Sequence, residues 1–187
     1  MAACTPRARN PATVVDDPKA RSRLVLMRHA KSDYPAGTID HDRPLSPRGQ
    51  RNAAAMGIHL AQILGESPQP YGVGVSTAIR AQQTWGLVAP NVEEPSERWN
   101  DRALYLAPAH SIIGIAEAGP VPTLVIVGHN PGLEQVAAMA DGAGDALDRS
   151  TGRRLGDGMP TSSITVMESP TPWRMTTARI SDFRICR

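Results

Sequence analysis

The sequence predicts an α/β fold: a three-layer sandwich with a mostly parallel central sheet flanked by helices. Leu24–Met27, Gly72–Val75 and Thr123–Val127 are short, continuous apolar runs, the pattern of strands buried on both faces. Polar corners follow these runs, and apolar residues at helical spacing follow the corners. Strands alternating with helices imply parallel pairing through right-handed crossovers.

The elements follow in chain order. Residues 1–22 hold Pro6, Pro11, Asp16, Asp17 and Pro18 without apolar periodicity, so a disordered N-terminal tail is expected there. The remainder, 23–187, is long enough for a single domain. After the strand at Leu24–Met27, Ser46 is a good N-cap and Pro47 suits the first helical position. Ala53, Met56, Gly57, Leu60, Ala61 and Leu64 then form one apolar face, predicting a helix that ends near Gly65. Gly72–Val75 runs into Ser76-Thr77, read as the cap of a helix reaching about Val88. Residues 93–105 read as extended, 108–118 as a helix and 123–127 as the clearest buried strand. Gly128-His129-Asn130-Pro131 repeats the cap-and-proline signal before a helix over 133–140. Residues 141–160, rich in Gly, Asp and Arg, read as a long loop, and 162–167 and 174–180 as two closing strands.

Composition narrows the function classes. Hydrophobic residues make up 41% of the chain and aromatics only 4%, so the core must be aliphatic. The formal charge is +2, and all basic residues except Lys19 and Lys31 are arginines. They are scattered rather than gathered in a stripe, so no nucleic-acid partner is expected. Cys4 and Cys186 form no CxxC pair, which argues against a zinc site or a disulfide framework. No apolar stretch approaches membrane-spanning length and the N-terminus lacks a signal-like apolar segment. A soluble, cytoplasmic protein with no membrane partner is expected.

Three strand-to-helix corners carry the unusual polar residues: Arg28-His29-Ala30-Lys31-Ser32, Ser76-Thr77 with Arg80 in the next turn, and Gly128-His129-Asn130-Pro131. In open α/β sheets ligands bind outside the carboxyl ends of the strands. Arg28, His29, Arg80 and His129 are therefore expected to converge on one pocket. A neutral imidazole can attack phosphorus, splitting one hard displacement into two easier ones. Nearby arginines disfavour its protonation and neutralise the phosphoryl oxygens. Helix N-termini at Ser76 and Asn130 would add N–H donors.

Leu26-Met27-Arg28-His29-Ala30 resembles the Arg-His-Gly or Arg-His-Ala signature of the histidine phosphatase superfamily, also called phosphoglycerate mutase-like. Further segments resemble its small SixA-type phosphohistidine phosphatase branch: Asp40-His41-Asp42-Arg43-Pro44-Leu45, Ser46-Pro47-Arg48-Gly49, the run from Ser76 to Thr84, Leu104-Tyr105, and Val127-Gly128-His129-Asn130-Pro131-Gly132. The resemblance spans roughly 23–180 in the family's order. It implies a phosphoglycerate mutase-like sandwich and makes His29 the phosphorylated nucleophile, with Arg28, Arg80 and His129 completing the phosphate pocket. It implies no metal or organic cofactor, and as partner a phosphohistidine-bearing protein or a small phosphorylated compound.

One departure bears on the substrate. Larger members of the superfamily place a glutamate general acid shortly after a Leu, near where this chain has Leu104-Tyr105. An oxygen ester needs its leaving alkoxide protonated, an effect of ~10²–10⁴-fold. A phosphoramidate leaves as an imidazole and depends less on an acid, so the absence points to a P–N substrate, unless Asp33 or Asp101 supplies the proton. A phosphomonoesterase for a small ester such as a sugar phosphate, and a non-catalytic phosphate-binding module, are the alternatives. Ser32 and Asn130 are further candidates for contact with phosphate. Asp40-His41-Asp42 looks like a metal cluster but is expected to be a structural loop anchored by Arg43, since consecutive loop residues rarely aim at one ion. His59 and His110 are expected bystanders, and Met139 and Met159 packing residues.

Overall fold

The computed structural model describes residues 21–66, 68–119 and 121–187. Its elements are β1 (Arg21–Arg28), α1 (Pro47–Gly65), β2 (Tyr71–Ser76), α2 (Ile79–Val88), β3 (Glu97–Asp101), α3 (Ala109–Ala118), β4 (Thr123–Gly128), α4 (Gly132–Met139), the short pair β5 (Leu147–Asp148) and β6 (Arg153–Arg154), then β7 (Ser163–Pro170) and β8 (Arg179–Ile185). The main sheet has the order β3-β2-β4-β1-β7-β8. β3, β2, β4 and β1 are parallel, while β7 pairs antiparallel with both β1 and β8.

Period-two alternation along β1 divides the interior. Leu24 and Leu26 pack on one side of the sheet with Leu124, Ile126, Ile112 and Leu133, beneath α3 and α4. Val25 and Met27 pack on the other with Val73, Val75, Met56, Leu60 and Trp85, beneath α1 and α2. This is the expected sandwich, and the central strands β2 and β4 are buried along their whole length because helices cover both faces. α1 starts as predicted: Ser46 Oγ accepts the N–H of Gly49 across 3.1 Å, a cap worth about 1 kcal/mol.

Several expected boundaries move. β1 begins at Arg21, where Arg21 and Ser22 pair with Pro170 and Ser169. The expected tail thus overlaps this strand by two residues, and its remainder, 1–20, lies outside the described residues. Ser76 is the last residue of β2 rather than a helix cap; α2 follows Ala78, whose side chain has no oxygen to offer. Asn130 likewise precedes Pro131, which occupies the cap position of α4. The segment 93–105 contains β3 and then a 3-10 turn, Arg102–Leu104. The long loop 141–160 folds back on itself through the β5–β6 pair.

The last strand lies five residues beyond its expected start. Met175–Thr177 form a 3-10 turn, and β8 runs from Arg179 so that Phe183 and Ile185 face the core while Asp182 and Arg184 remain partly exposed. Register is set by burying that alternating face against β7, with a bulge between Val166 and Met167 taking up the offset. Met139, expected to pack, is 60% exposed at the end of α4, whereas Met159 is buried. Among the described residues no helix is long and apolar enough to cross a membrane.

Candidate active site

Parallel register brings the three polar corners to one edge of the sheet. Arg28 lies opposite Gly128, Val75 opposite Val127, and Ser76 opposite Asp101. His29, one residue beyond β1, is buried, with its backbone N–H donating to Gly128 and its carbonyl accepting from Ser162. His29 and His129 face each other with ring centroids 4.9 Å apart. Arg80, in the first turn of α2, is only 3% exposed. The four residues expected to converge do so.

The bonds of His29 determine its tautomer. Nδ1 lies 2.7 Å from the carbonyl oxygen of Ala30, which can only accept, so Nδ1 carries the proton. Nε2 is then unprotonated, and its one lone pair accepts the Nε–H of Arg80 across 3.2 Å. Burial pushes the imidazole down to about 3, with the charges of Arg80, Arg28 and Arg43 pushing the same way against the Ala30 carbonyl. The ring is neutral at physiological pH and turns its unprotonated nitrogen to the guanidinium of Arg80. Thr84, one turn after Arg80, fixes this arrangement: its Oγ1 donates to the Arg80 carbonyl and accepts the N–H of Ala30.

His129 is also neutral, pushed to about 3 by burial and then by His29 and Arg80. Its Nε2 lies 2.8 Å from Ser76 Oγ. That hydroxyl also accepts from the N–H of Ala78. The other ring nitrogen of His129, Nδ1, is a buried atom without a partner. Arg28 donates through Nη1 to the Met159 carbonyl, and its buried Nε is unpartnered as well. Buried polar atoms without partners are rare in folded proteins. Here two belong to residues bordering the same imidazole.

Asp40 is a member of the site that sequence reasoning missed. The loop after β1 turns back so that Asp40 Oδ2 accepts from Arg80 Nη2 at 3.0 Å and from the Tyr105 hydroxyl at 2.6 Å. Its Oδ1 accepts from Arg43 Nη1 at 2.8 Å, and its backbone carbonyl accepts from Arg80 Nη1. The hydrogen bonds from Tyr105 and Arg43, then the charge of Arg80, hold this carboxylate well below the usual range. Arg43 anchors the loop as expected, also reaching Ser32 Oγ and the Asp33 carbonyl. The segment from Asp40 to Leu45 stands out as one that resembles the SixA-type branch, but it reads as a structural loop, and nothing in it reveals that Asp40 meets residue 80 in space.

The remaining candidates are placed less centrally. Ser32 is buried with its hydroxyl on Arg43. Asn130 directs its amide nitrogen to Glu134 and to the Met159 carbonyl. Asp33 and Asp101 each accept from a neighbouring backbone N–H, Tyr34 and Ala103, and make no contact with the histidines. His41 bonds Asp42 and Thr77, and no group of three or more potential metal ligands exists among the described residues. His59 lies beside Arg184, and His110 is exposed.

Comparisons agree with this geometry. A family model of the histidine phosphatase superfamily, branch 1, matches residues 24–102. The uncharacterized protein Rv1276c of Mycobacterium tuberculosis is 38% identical over 148 residues, covering 79% of this chain and 89% of that protein. Among solved structures, the candidate phosphohistidine phosphatase SixA of Nakamurella multipartitia superposes with a TM-score of 0.69 at 27% identity, covering 91% of this chain and 99% of that one. The corresponding SixA candidate from Agrobacterium tumefaciens gives a TM-score of 0.68 at 27% identity, covering 87% and 96%. With the Arg28-His29 corner inside the matched segment and the same fold over nearly the whole described chain, this protein belongs to the histidine phosphatase superfamily.

Proposed function

We propose that the protein is a phosphohistidine phosphatase that hydrolyses its substrate through a covalent phosphohistidine on His29. The observation that carries this reading is the fixed tautomer of His29, with Nδ1–H on the Ala30 carbonyl and an unprotonated Nε2 that accepts from Arg80. In the first step the Nε2 lone pair exchanges the Arg80 N–H for phosphorus, and the new bond forms as the bond to the leaving group breaks. Charge that grows on the phosphoryl oxygens meets the unpartnered Nε–H of Arg28, and His129 Nδ1 donates beside it in the tautomer whose Nε2 accepts from Ser76. Arg80 contributes as well: three of its five N–H groups are engaged, leaving one on each terminal nitrogen. Such preorganised donors are worth about 10²–10³ in rate each. In the second step water attacks phosphorus, the P–Nε2 bond returns its electrons to the ring, and the water's proton leaves to solvent.

The choice of a P–N substrate is supported by the groups around Arg80. Asp40 is held ionised, and Tyr105, raised above its ordinary pKa by its bond to Asp40, spends its hydrogen there. Neither has a proton to give an alkoxide near neutral pH. The departing imidazole of phosphohistidine, protonated on its other nitrogen, needs none. The SixA candidates named above fit the same reading.

The test is to incubate the protein with a ³²P-phosphohistidine peptide and quench in base. Acid-labile label should appear on the peptide containing His29 and be absent in His29→Ala. Comparable or faster turnover of small phosphate esters would replace this reading with a phosphomonoesterase. No label and no turnover on any phosphorylated compound would leave a binding module.

A further inference from the structure

We propose that Asp40 is the subsite for the leaving group, accepting a hydrogen bond from the distal ring N–H of the substrate's departing imidazole. This rests on the phosphohistidine reading above and specifies how that substrate is distinguished from an ester.

The position follows from the geometry. Nε2 of His29 must attack opposite the bond that breaks, so the leaving nitrogen points away from His29. The surroundings of the His29 ring are closed: His129 is 2% exposed and Arg80 3%. Asp40 stands at the far end of the Arg80 guanidinium, and its side chain is 42% exposed. It therefore borders the open side of the site, where a leaving group must lie. The carboxylate has about four acceptor positions. Tyr105 and Arg80 occupy Oδ2 and Arg43 occupies one position on Oδ1, which leaves one acceptor on Oδ1. Tyr105 adds an aromatic face beside it, its ring 5.0 Å from that of His41 and 5.4 Å from that of His129. A planar, N–H-bearing ring suits such a surface. The oxygen of a leaving alkoxide or phenolate, an acceptor itself, meets an anion there instead.

The proton balance is simple. The substrate ring reacts as its imidazolium form, with phosphorus on one nitrogen and, on the other, a proton taken from solvent. When the P–N bond breaks, its electron pair stays on the first nitrogen and the hydrogen stays on the second, giving neutral imidazole. Asp40 takes no proton; its charge favours the protonated ring, the form that leaves without a general acid. A carboxylate bound to three donors is well suited to remain an anion throughout.

The experiment compares kcat/KM for a phosphohistidine peptide and for p-nitrophenyl phosphate, whose leaving phenolate needs no proton, in wild-type protein, Asp40→Asn and Asp40→Glu. Asp40→Asn should lose roughly tenfold to a hundredfold on the peptide, the scale of one charge-assisted hydrogen bond. On the ester the loss should be smaller, that of a loosened Arg80 alone, so that the ratio of the two kcat/KM values falls by about tenfold. Asp40→Glu keeps the charge and displaces it by one methylene; a loss greater on the peptide than on the ester supports the subsite even if Asp40→Asn does not fold. Equal losses on both substrates would mean that Asp40 only holds Arg80, and would overturn the proposal, as would no loss at all. Wild-type protein that is inert on phosphohistidine but active on the ester would remove the proposed function itself, and the subsite with it.

Discussion

The Nε–H of Arg80 meets Nε2 of His29 across 3.2 Å, although the two residues are 51 positions apart. This bond couples α2 to the end of β1 and aims the basic nitrogen of the imidazole into the site. Arg80 also holds Asp40 through both terminal nitrogens, so one guanidinium organises the whole cluster.

Replacing Arg80 should therefore affect activity and stability together. Arg80→Ala removes one of the two guanidinium partners of Asp40 and takes donors from the proposed phosphoryl site. A fall in kcat of about 10²–10³ is expected, with a stability loss of about 1–3 kcal/mol. Arg80→Lys should recover little, because an ammonium cannot reproduce the three-directional fork. Steady-state kinetics and thermal melts check this; a lysine variant with near wild-type kcat would show that only the charge matters.

The buried histidines make stability fall in acid. His29 and His129 lie near 3 in the folded protein, against about 6.5 unfolded. Between those values the unfolded chain binds more protons. The contribution is thus complete above about pH 6.5 and is lost as the pH falls toward 3, by up to about 1.4 kcal/mol per pH unit for each ring. Asp40, held low, adds a further loss below the ordinary carboxylate range. Melting temperature should decline from pH 6.5 to 4, and NMR should show neither ring titrating between pH 8 and 5. A ring titrating near 6.5 would contradict the burial argument.

Glycine substitutions separate the active-site edge from the rest of the fold. A Cβ on Gly132 would lie 1.9 Å from the Ala107 carbonyl oxygen, so the corner carrying His129 approaches its neighbour too closely for any side chain. Gly132→Ala should destabilise by about 1–3 kcal/mol and reduce kcat. Gly86, exposed in α2, meets nothing within 4 Å. Gly86→Ala should stabilise by about 0.5–1 kcal/mol without affecting activity. Denaturant titration of both variants tests the contrast, and a harmless Gly132→Ala would disprove the close approach.

The chain's own pattern determined the sandwich and its polar edge. Leu24–Met27 and Thr123–Val127 are apolar on both faces because helices cover both, so these strands were legible without tertiary information. Ser46-Pro47 marked the start of α1 for a local reason, a hydroxyl within reach of an N–H three residues on. Arg28, His29, Arg80 and His129 could be placed together because parallel strands put their following corners on one edge. Elsewhere tertiary packing overrode local signals. Ser76 carries a cap-forming side chain yet ends β2, and its hydroxyl serves His129. The closing strand waited for Phe183 and Ile185 because burial against β7, not local propensity, sets its register. Asp40 depended on structure altogether: its meaning lies in the guanidinium of residue 80 and the hydroxyl of residue 105, and contacts between such distant positions leave no periodicity to read. Sequence alone thus determined that Arg28, His29, Arg80 and His129 share one edge of the sheet, while the tertiary structure decided which nitrogen of His29 is unprotonated and which carboxylate holds Arg80.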